Sequence, residues 1–371
     1  MMGSQPLAGL RVLDFAHLLP GEFAAFWLGQ LGAEVIKVER PGTERLLGID
    51  VRHPFRAALN RGKKSVLLDL KKIEDREVAR KLVARADVLI EGFRPGVMAR
   101  LGLGWEDVHA LNPRLVYCSI SGFGQDGPDR KRPGHDNIYL AEAGLLTENR
   151  GADGEPHLFP VQLADVGGGT LPALVGILAA LWAREQTGEG TYVDVSMFEG
   201  ALAWTYLLLP SLAGGPETQP WLDGLAGRLP CYGIYKTKEG EYVALGALEP
   251  HFWAAFCQSV GREEWLGRAY DVNLREEVAA LFRQHTLDEW LGEDRRGGIL
   301  DPQTVPTAAL RSLDELVQDE CLWEEGFFVR DEYGRIHPSL PLRLNGRRPA
   351  TSGHVPGPGE NNNDIEEWIS S

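Results

Sequence analysis

The first 120 residues alternate short β-prone runs with helical stretches, and that alternation narrows the fold more than any other feature. Residues 10–15, 34–39, 65–70, 87–90 and 115–120 read as strands, each a short run rich in Val, Ile and Leu. Pro20 suits a first helical turn, and Phe23, Phe26, Trp27, Gln30 and Leu31 keep helical spacing up to a stop at Gly32. A second helix is expected over residues 74–85, with Val78, Leu82 and Val83 on one face. Strand–helix–strand order implies parallel strands joined by right-handed crossovers, an α/β doubly wound sheet. Ligands of such sheets bind beyond the carboxyl ends of the strands.

The chain has 371 residues, enough for two or three domains, with 43% hydrophobic and 25% charged residues. A net charge of -15 argues against a nucleic-acid partner and gives a membrane surface little to attract. The longest apolar run, residues 171–183, is interrupted by Gly176 and is expected to fall short of a membrane span. MMGSQPLAGL has neither a charged leader region nor an apolar one, so a cytoplasmic location is expected. Cys118, Cys231, Cys257 and Cys321 show no CxxC or CxxH spacing; they are expected to be reduced core residues, with no metal site.

Farther along, an apolar helix is expected over 170–186, a strand over 191–195 and a second apolar helix over 199–209. The Gly- and Pro-rich residues 211–229 read as a linker. Alternation over 232–236 and 241–245 around Lys238-Glu239-Gly240 marks a hairpin, followed mainly by helices to about 320. A further hairpin is expected over 327–330 and 335–336, and residues 353–363 read as a polar extension. The expected organisation is a large domain over 1–210, completed by about 326–371, and a smaller α+β domain over 230–325. No GxGxxG follows any strand, so a nicotinamide or flavin site is disfavoured.

Asp165 stands before Gly167-Gly168-Gly169 and the apolar helix. Free N–H groups at that helix start could stabilise a developing negative oxygen, and the glycines could admit a ligand close to the backbone. A helix-capping aspartate is the plainer alternative. His135 lies between Gly134 and Asp136, which could orient its ring; histidine is the side chain best suited to proton exchange near neutral pH. Alone it would read as a loop residue. Glu249, before Pro250, is a strand-end or N-cap carboxylate that could tune a histidine, although capping explains it as well. Arg40, Lys71, Lys72 and Arg94 each follow an expected strand, and their convergence would make a cationic pocket for a nucleotide phosphate.

The segments LAGLRVLDFAHLLPGEFAAFWLGQLGAEVIKVERPG, ADVLIEGFRPGVMARLGLG, GHDNIYLAEAGLL, LADVGGGTLPALVGILAALWARE and YVALGALEPHFW resemble, in order and spacing, the family III CoA-transferase superfamily, and within it the α-methylacyl-CoA racemase branch. The resemblance implies a Rossmann-like large domain, a small domain and an interlocked homodimer, with the active site between the large domain of one subunit and the small domain of the other. It implies an acyl-CoA thioester as substrate and no cofactor beyond coenzyme A as part of that substrate. His135 and Asp165 match the family's acid/base residues, and Glu249 the glutamate that supports the histidine in racemases. Arg40, Leu68, Asp69, Leu70, Lys71, Gly92, Phe93, Arg94, Arg100, Gly134, Asp136, Asn137, Ile138 and Tyr139 match positions that hold CoA. In the transferases the matching aspartate takes an acyl group; in the racemases it carries a proton. Transferases resembling formyl-CoA transferase do not usually have histidine in the GHD position, and they carry a glycine-rich loop where this chain has Gly246-Ala247-Leu248-Glu249-Pro250. Both differences favour the racemase. Racemases of the branch can present a methionine-rich surface to the acyl chain; this chain has four methionines and carries Leu202, Trp204, Tyr206 and Leu207 there, a bulkier and stiffer surface.

Overall fold

The structure, a computed structural model, describes residues 5–42, 54–151, 154–213, 224, 226–293, 297–349 and 353–370. Strands β1 (Arg11–Asp14), β2 (Glu34–Glu39), β3 (Lys64–Leu67), β4 (Val88–Glu91), β5 (Val116–Ser121) and β6 (Tyr192–Ser196) form one parallel sheet in the order β3-β2-β1-β4-β5-β6. Helices α1 (Leu19–Gln30), α2 (Pro54–Asn60), α3 (Ile73–Val83), α4 (Val97–Arg100) and α5 (Trp105–Leu111) alternate with the first five strands. The strands are mostly apolar because helices cover both faces; the polar exceptions, Asp14 and Lys37 among them, are buried. One face packs Val12, Val35, Val88, Val116 and Ile120 against α1 and α8 (Leu171–Thr187). The other packs Leu13, Ile36, Leu89 and Tyr117 with Leu82 and Val83 of α3. The strand order reverses between β1 and β4, so the crevice for a ligand lies at their carboxyl ends.

At that point four charges are closed away from water. Asp14 is fully buried at the end of β1 and Lys37 in the middle of β2, and Lys63 precedes β3. The Lys63 ammonium lies 2.7 Å from the Asp14 carboxylate and donates to the Glu22 carbonyl at 2.9 Å. Lys37 lies 2.6 Å from Glu22 and 3.6 Å from Asp14, and also donates to the Ala16 carbonyl. Two positive and two negative groups thereby offset the desolvation that would expel any one alone.

The chain forms two compact units, residues 1–205 with 319–371, and residues 206–318. The second unit carries the antiparallel strands β7 (Tyr232–Lys236), β8 (Tyr242–Gly246) and β9 (Thr307–Ala309). Its core packs Tyr235, Trp253, Phe256, Phe282 and Trp290. Within the first unit β10 (Phe328–Arg330) and β11 (Ile336–Pro338) form the final hairpin.

Several elements depart from the sequence reading. Strand β9, only three residues long, was not expected. The helix expected over 199–209 is instead α9 (Met197–Ala203) and a second piece, Leu208–Ala213, with the turn between them closed by Thr205 Oγ1 donating to the Leu202 carbonyl at 2.7 Å. That second piece enters the expected linker; residues 214–223 and 225 of the linker lie outside those described. The helix that carries the longest apolar run begins at Leu163 and reaches Thr187, long and apolar enough by length and composition to cross a membrane, with 44% of its most apolar window buried inside the fold. Cys321 is exposed, while the other three cysteines are buried. The polar extension is held along β3. Asn361 and Asn362 side chains accept the Ser65 and Leu67 N–H groups at 2.9 and 2.8 Å, and Gly62 N–H donates to the His354 carbonyl at 2.7 Å.

Removing one member of the buried charge cluster strands the others. Asp14→Ala is expected to destabilise the fold by about 3–5 kcal/mol, read as a lowered midpoint in urea; a change under about 1 kcal/mol, the range of an exposed pair, would contradict a buried cluster.

Candidate functional site

A cleft of about 220 Å³ opens beyond the carboxyl ends of β1 to β4. Arg40, Leu68, Asp69, Leu70, Lys71 and Phe93 line it, all residues singled out from the sequence. Each sits just past a strand end, where a parallel sheet delivers its loops to one rim. Glu39 also lines the cleft, but its carboxylate is held by Arg56 at 2.6 and 2.8 Å and by Ser65 Oγ at 2.5 Å. The rim's cations, Arg40 and Lys71, therefore stand beside a carboxylate whose charge is already matched. Gly92, Arg94 and Arg100 are exposed on the loop and short helix after β4 and do not line this cleft.

Sequence reasoning missed His17, which also lines it. Its ring meets Phe93 edge-on at 5.4 Å. Burial, helped by the nearby Lys37 ammonium, pushes His17 down to about 4, so it is neutral at physiological pH. Its place three residues past the end of β1, at the switch point, was the available signal.

The second group of candidates forms around two helix starts. His135 is the N-cap residue of α6 (Asp136–Glu142); it is exposed, and its side chain makes no capping bond. Asp165 lies in the first turn of a π-helical segment, Leu163–Thr170, that runs directly into α8. Asp165 is thus not the helix cap that its sequence position suggested. The capping carboxylate comes from Asp136, whose Oδ1 accepts the Ala164 and Asp165 N–H groups at 2.7 and 3.0 Å. Asp136 therefore does not serve to orient His135. Those two N–H groups are also committed, which corrects the expectation that backbone donors beside Asp165 await an oxyanion.

The glycine run has a different use from the one expected. A Cβ on Gly168 would lie 2.8 Å from Ala201 N, and one on Gly200 only 2.0 Å from the Gly168 carbonyl oxygen. The backbone is bare there so that α9 can approach the π-turn, not so that a ligand can. Gly134 is constrained in the same way, because a Cβ would meet Tyr139 Cε1 at 2.6 Å. Tyr139 is buried, and its hydroxyl is pushed up to about 12 by burial and by the Asp165 and Asp136 carboxylates. Asn137 is exposed and Ile138 half-buried on the first turn of α6.

Burial and the Asp136 charge push Asp165 up to about 6, against the opposing pull of His135. The aspartate and the histidine are thus near enough to feel each other's charge. A carboxyl near 6 exchanges its proton readily at neutral pH. Glu249 belongs to the second unit, where it is the exposed N-cap residue of helix Pro250–Ser259 and makes no side-chain capping bond.

The model of CoA-transferase family III matches residues 7–362, and the chain belongs to that family. It is 36% identical over 351 residues to the α-methylacyl-CoA racemase of Homo sapiens, covering 91% of this chain and 87% of that one. It is also 36% identical over 358 residues to the acetyl-CoA:oxalate CoA-transferase of Acetobacter aceti, covering 92% and 90%. A crystal structure of a CaiB/BaiF family protein from Brucella suis superposes with a TM-score of 0.82 at 28% identity, covering 99% of this chain and all of that one.

The raised Asp165 has a consequence for stability. The cost falls on its ionised form, so it is fully present above about pH 6 and vanishes below the ordinary carboxylate range near ~3.9. Asp165→Asn is expected to stabilise the fold at pH 8 by about 1–2 kcal/mol, a figure reduced for partial exposure. The gain should disappear at pH 4 in thermal melts. Equal stability of both proteins at pH 8 would contradict the burial cost.

Proposed function

We propose that the protein is a racemase or epimerase of 2-methylacyl-CoA thioesters, acting by proton exchange at the α-carbon. The observation that carries this reading is the pair of hydrogen bonds from Ala164 and Asp165 to Asp136, which joins the start of α6, whose N-cap residue is His135, to an Asp165 carboxyl raised into the neutral range. The α-hydrogen of a thioester is weakly acidic, and inverting the carbon needs an acceptor on one face and a donor on the other. In this reading one of His135 and Asp165 takes the α-proton, the electrons move onto the thioester oxygen as an enolate, and the other residue returns a proton to the opposite face. The roles exchange with direction. The cleft beyond β1 to β4 takes the CoA moiety, its phosphates near Arg40 and Lys71. Glu249 keeps the supporting role that the family resemblance implies, and no cofactor beyond the CoA of the substrate is called for. A cytoplasmic location fits the same reading.

A second reading has Asp165 as the nucleophile of a CoA-transferase, and the equal identity to the oxalate transferase favours keeping it. A nucleophilic carboxylate must be ionised, however, and a raised Asp165 is less so at neutral pH than an ordinary aspartate.

One epimer of a 2-methylacyl-CoA incubated in deuterated water, with and without a free carboxylic acid, separates the two. Exchange of the α-hydrogen and epimerisation without the acid are expected. His135→Ala and Asp165→Asn should each slow exchange by about 10²–10⁴-fold, and Glu249→Gln by about tenfold. CoA transfer that requires the acid, with no exchange, would sink the racemase.

We also propose a homodimer. Helix α8 exposes Leu171, Val175, Leu178 and Trp182 at helical spacing, with Val175 69% and Trp182 72% exposed, an apolar stripe of the kind that a partner covers. Sedimentation should show a dimer that Val175→Glu weakens; a monomeric wild type would overturn the pairing.

A further inference from the structure

The wide turn that carries Asp165 has its own anchor. A π-helix bonds each N–H one residue farther back than an α-helix does, and it persists only where surroundings hold it. If Leu163–Thr170 tightened to α-helical register, Asp165 would swing about the axis by roughly one residue's rotation, about 100°. Three things oppose that tightening. Asp136 grips the N–H groups of Ala164 and Asp165 at the start. The bare backbone of Gly168 lies against Gly200 and Ala201 of α9 in the middle. At the end stands Thr170, fully buried, whose Oγ1 donates to the Pro20 carbonyl at 2.8 Å and lies 3.4 Å from the Asp165 carbonyl. Pro20 opens α1, directly after the loop that places His17 in the cleft.

We infer that Thr170 is a positioning residue for the reaction: its hydroxyl ties the end of the π-turn to the start of α1 and so fixes the direction in which the Asp165 carboxyl points. The inference rests on Asp165 as the acting carboxyl, not on which of its two chemistries is used. The contact draws on the hydroxyl rather than on bulk. Valine has nearly the same shape as threonine and cannot donate, whereas serine keeps the donor and loses only a methyl. A structural role alone would show in melting temperature; a positioning role shows in the rate and in the titration of Asp165.

Thr170→Val and Thr170→Ser test this in the full-length protein, assayed both for α-hydrogen exchange and for acid-dependent CoA transfer. Thr170→Val is expected to lower kcat by about 100-fold for whichever reaction the wild type performs, the cost of a misdirected reacting group. KM for the acyl-CoA should stay within about twofold. Thr170→Ser should restore kcat to within about threefold of wild type. A readout without substrate accompanies these. In protein labelled with 13C at aspartate carboxyls, the resonance lost in Asp165→Asn should titrate near 6 in the wild type, move in Thr170→Val and return in Thr170→Ser. Wild-type kcat and an unmoved Asp165 resonance in Thr170→Val would overturn the inference. So would equal losses in both variants tracking a common fall in melting temperature. A wild type that transfers CoA without exchange would end the racemase reading and leave the Thr170 test intact on the transfer rate. A wild type silent in both assays is decided on the resonance alone.

Discussion

The sheet's working end depends on a charge cluster largely closed off from water. Asp14, Lys37, Glu22 and Lys63 come from the last residue of β1, the middle of β2, the first turn of α1 and the approach to β3. Burying any one of these charges alone would cost several kcal/mol; burying them as a matched set fixes the relative positions of the elements that carry them. The loop over residues 15–17 lies directly on this set, with the Ala16 N–H bonded to Asp14 at 3.0 Å and its carbonyl accepting from Lys37. A ligand entering the cleft therefore meets a rim already in place. His17 beside the cluster is held neutral mainly by its own burial, with the Lys37 charge helping and the Asp14 and Glu22 carboxylates opposing.

How much of this was legible follows from what each residue must satisfy. Strands buried on both faces are mostly apolar, so all six parallel strands stood out. Their carboxyl ends located Arg40 and Lys71 on the cleft, whereas Arg94, named on the same ground, lies outside it; Leu68, Asp69, Leu70 and Phe93 came from the family resemblance. Lys37 inside the apolar run EVIKVE was a visible sign of a buried ion, and its partners were not, since pairing depends on the sheet order. The π-turn was misjudged for a definite reason. Three glycines before an apolar helix look like a loop when nothing reveals the second backbone that rests on them. Here Gly200, more than thirty residues away, is the other half of the explanation. Asp136 was misplaced for the same reason: adjacency to His135 suggested a partnership, whereas its bonds go to Ala164 and Asp165. Strand β9, three residues without alternation, offers no local signal at all.

Asp136 illustrates how one carboxylate can set both place and reactivity. Its hydrogen bonds hold the helix start on which Asp165 sits. Its negative charge, a few bonds away, makes a second negative charge at Asp165 harder to form. A carboxyl so treated is a poorer permanent anion and a better proton carrier. Overall identity, 36% to a racemase and to a transferase alike, carries no information about that local balance.

The first unit is discontinuous in sequence, and the residues along β3 come from near the chain's end. During synthesis on the ribosome, five of the sheet's strands and the whole second unit emerge while β3 still has a bare outer edge. An uncovered edge strand presents unpaired N–H and C=O groups to any passing chain. Asn361 and Asn362 mimic a neighbouring strand with side-chain oxygens, and they close that edge only after every strand of the sheet and the second unit have been made. The nascent protein thus passes through an interval in which the rim of the cleft is present but its margin is adhesive. Shielding by a chaperone would matter most in that interval, while the margin is still open.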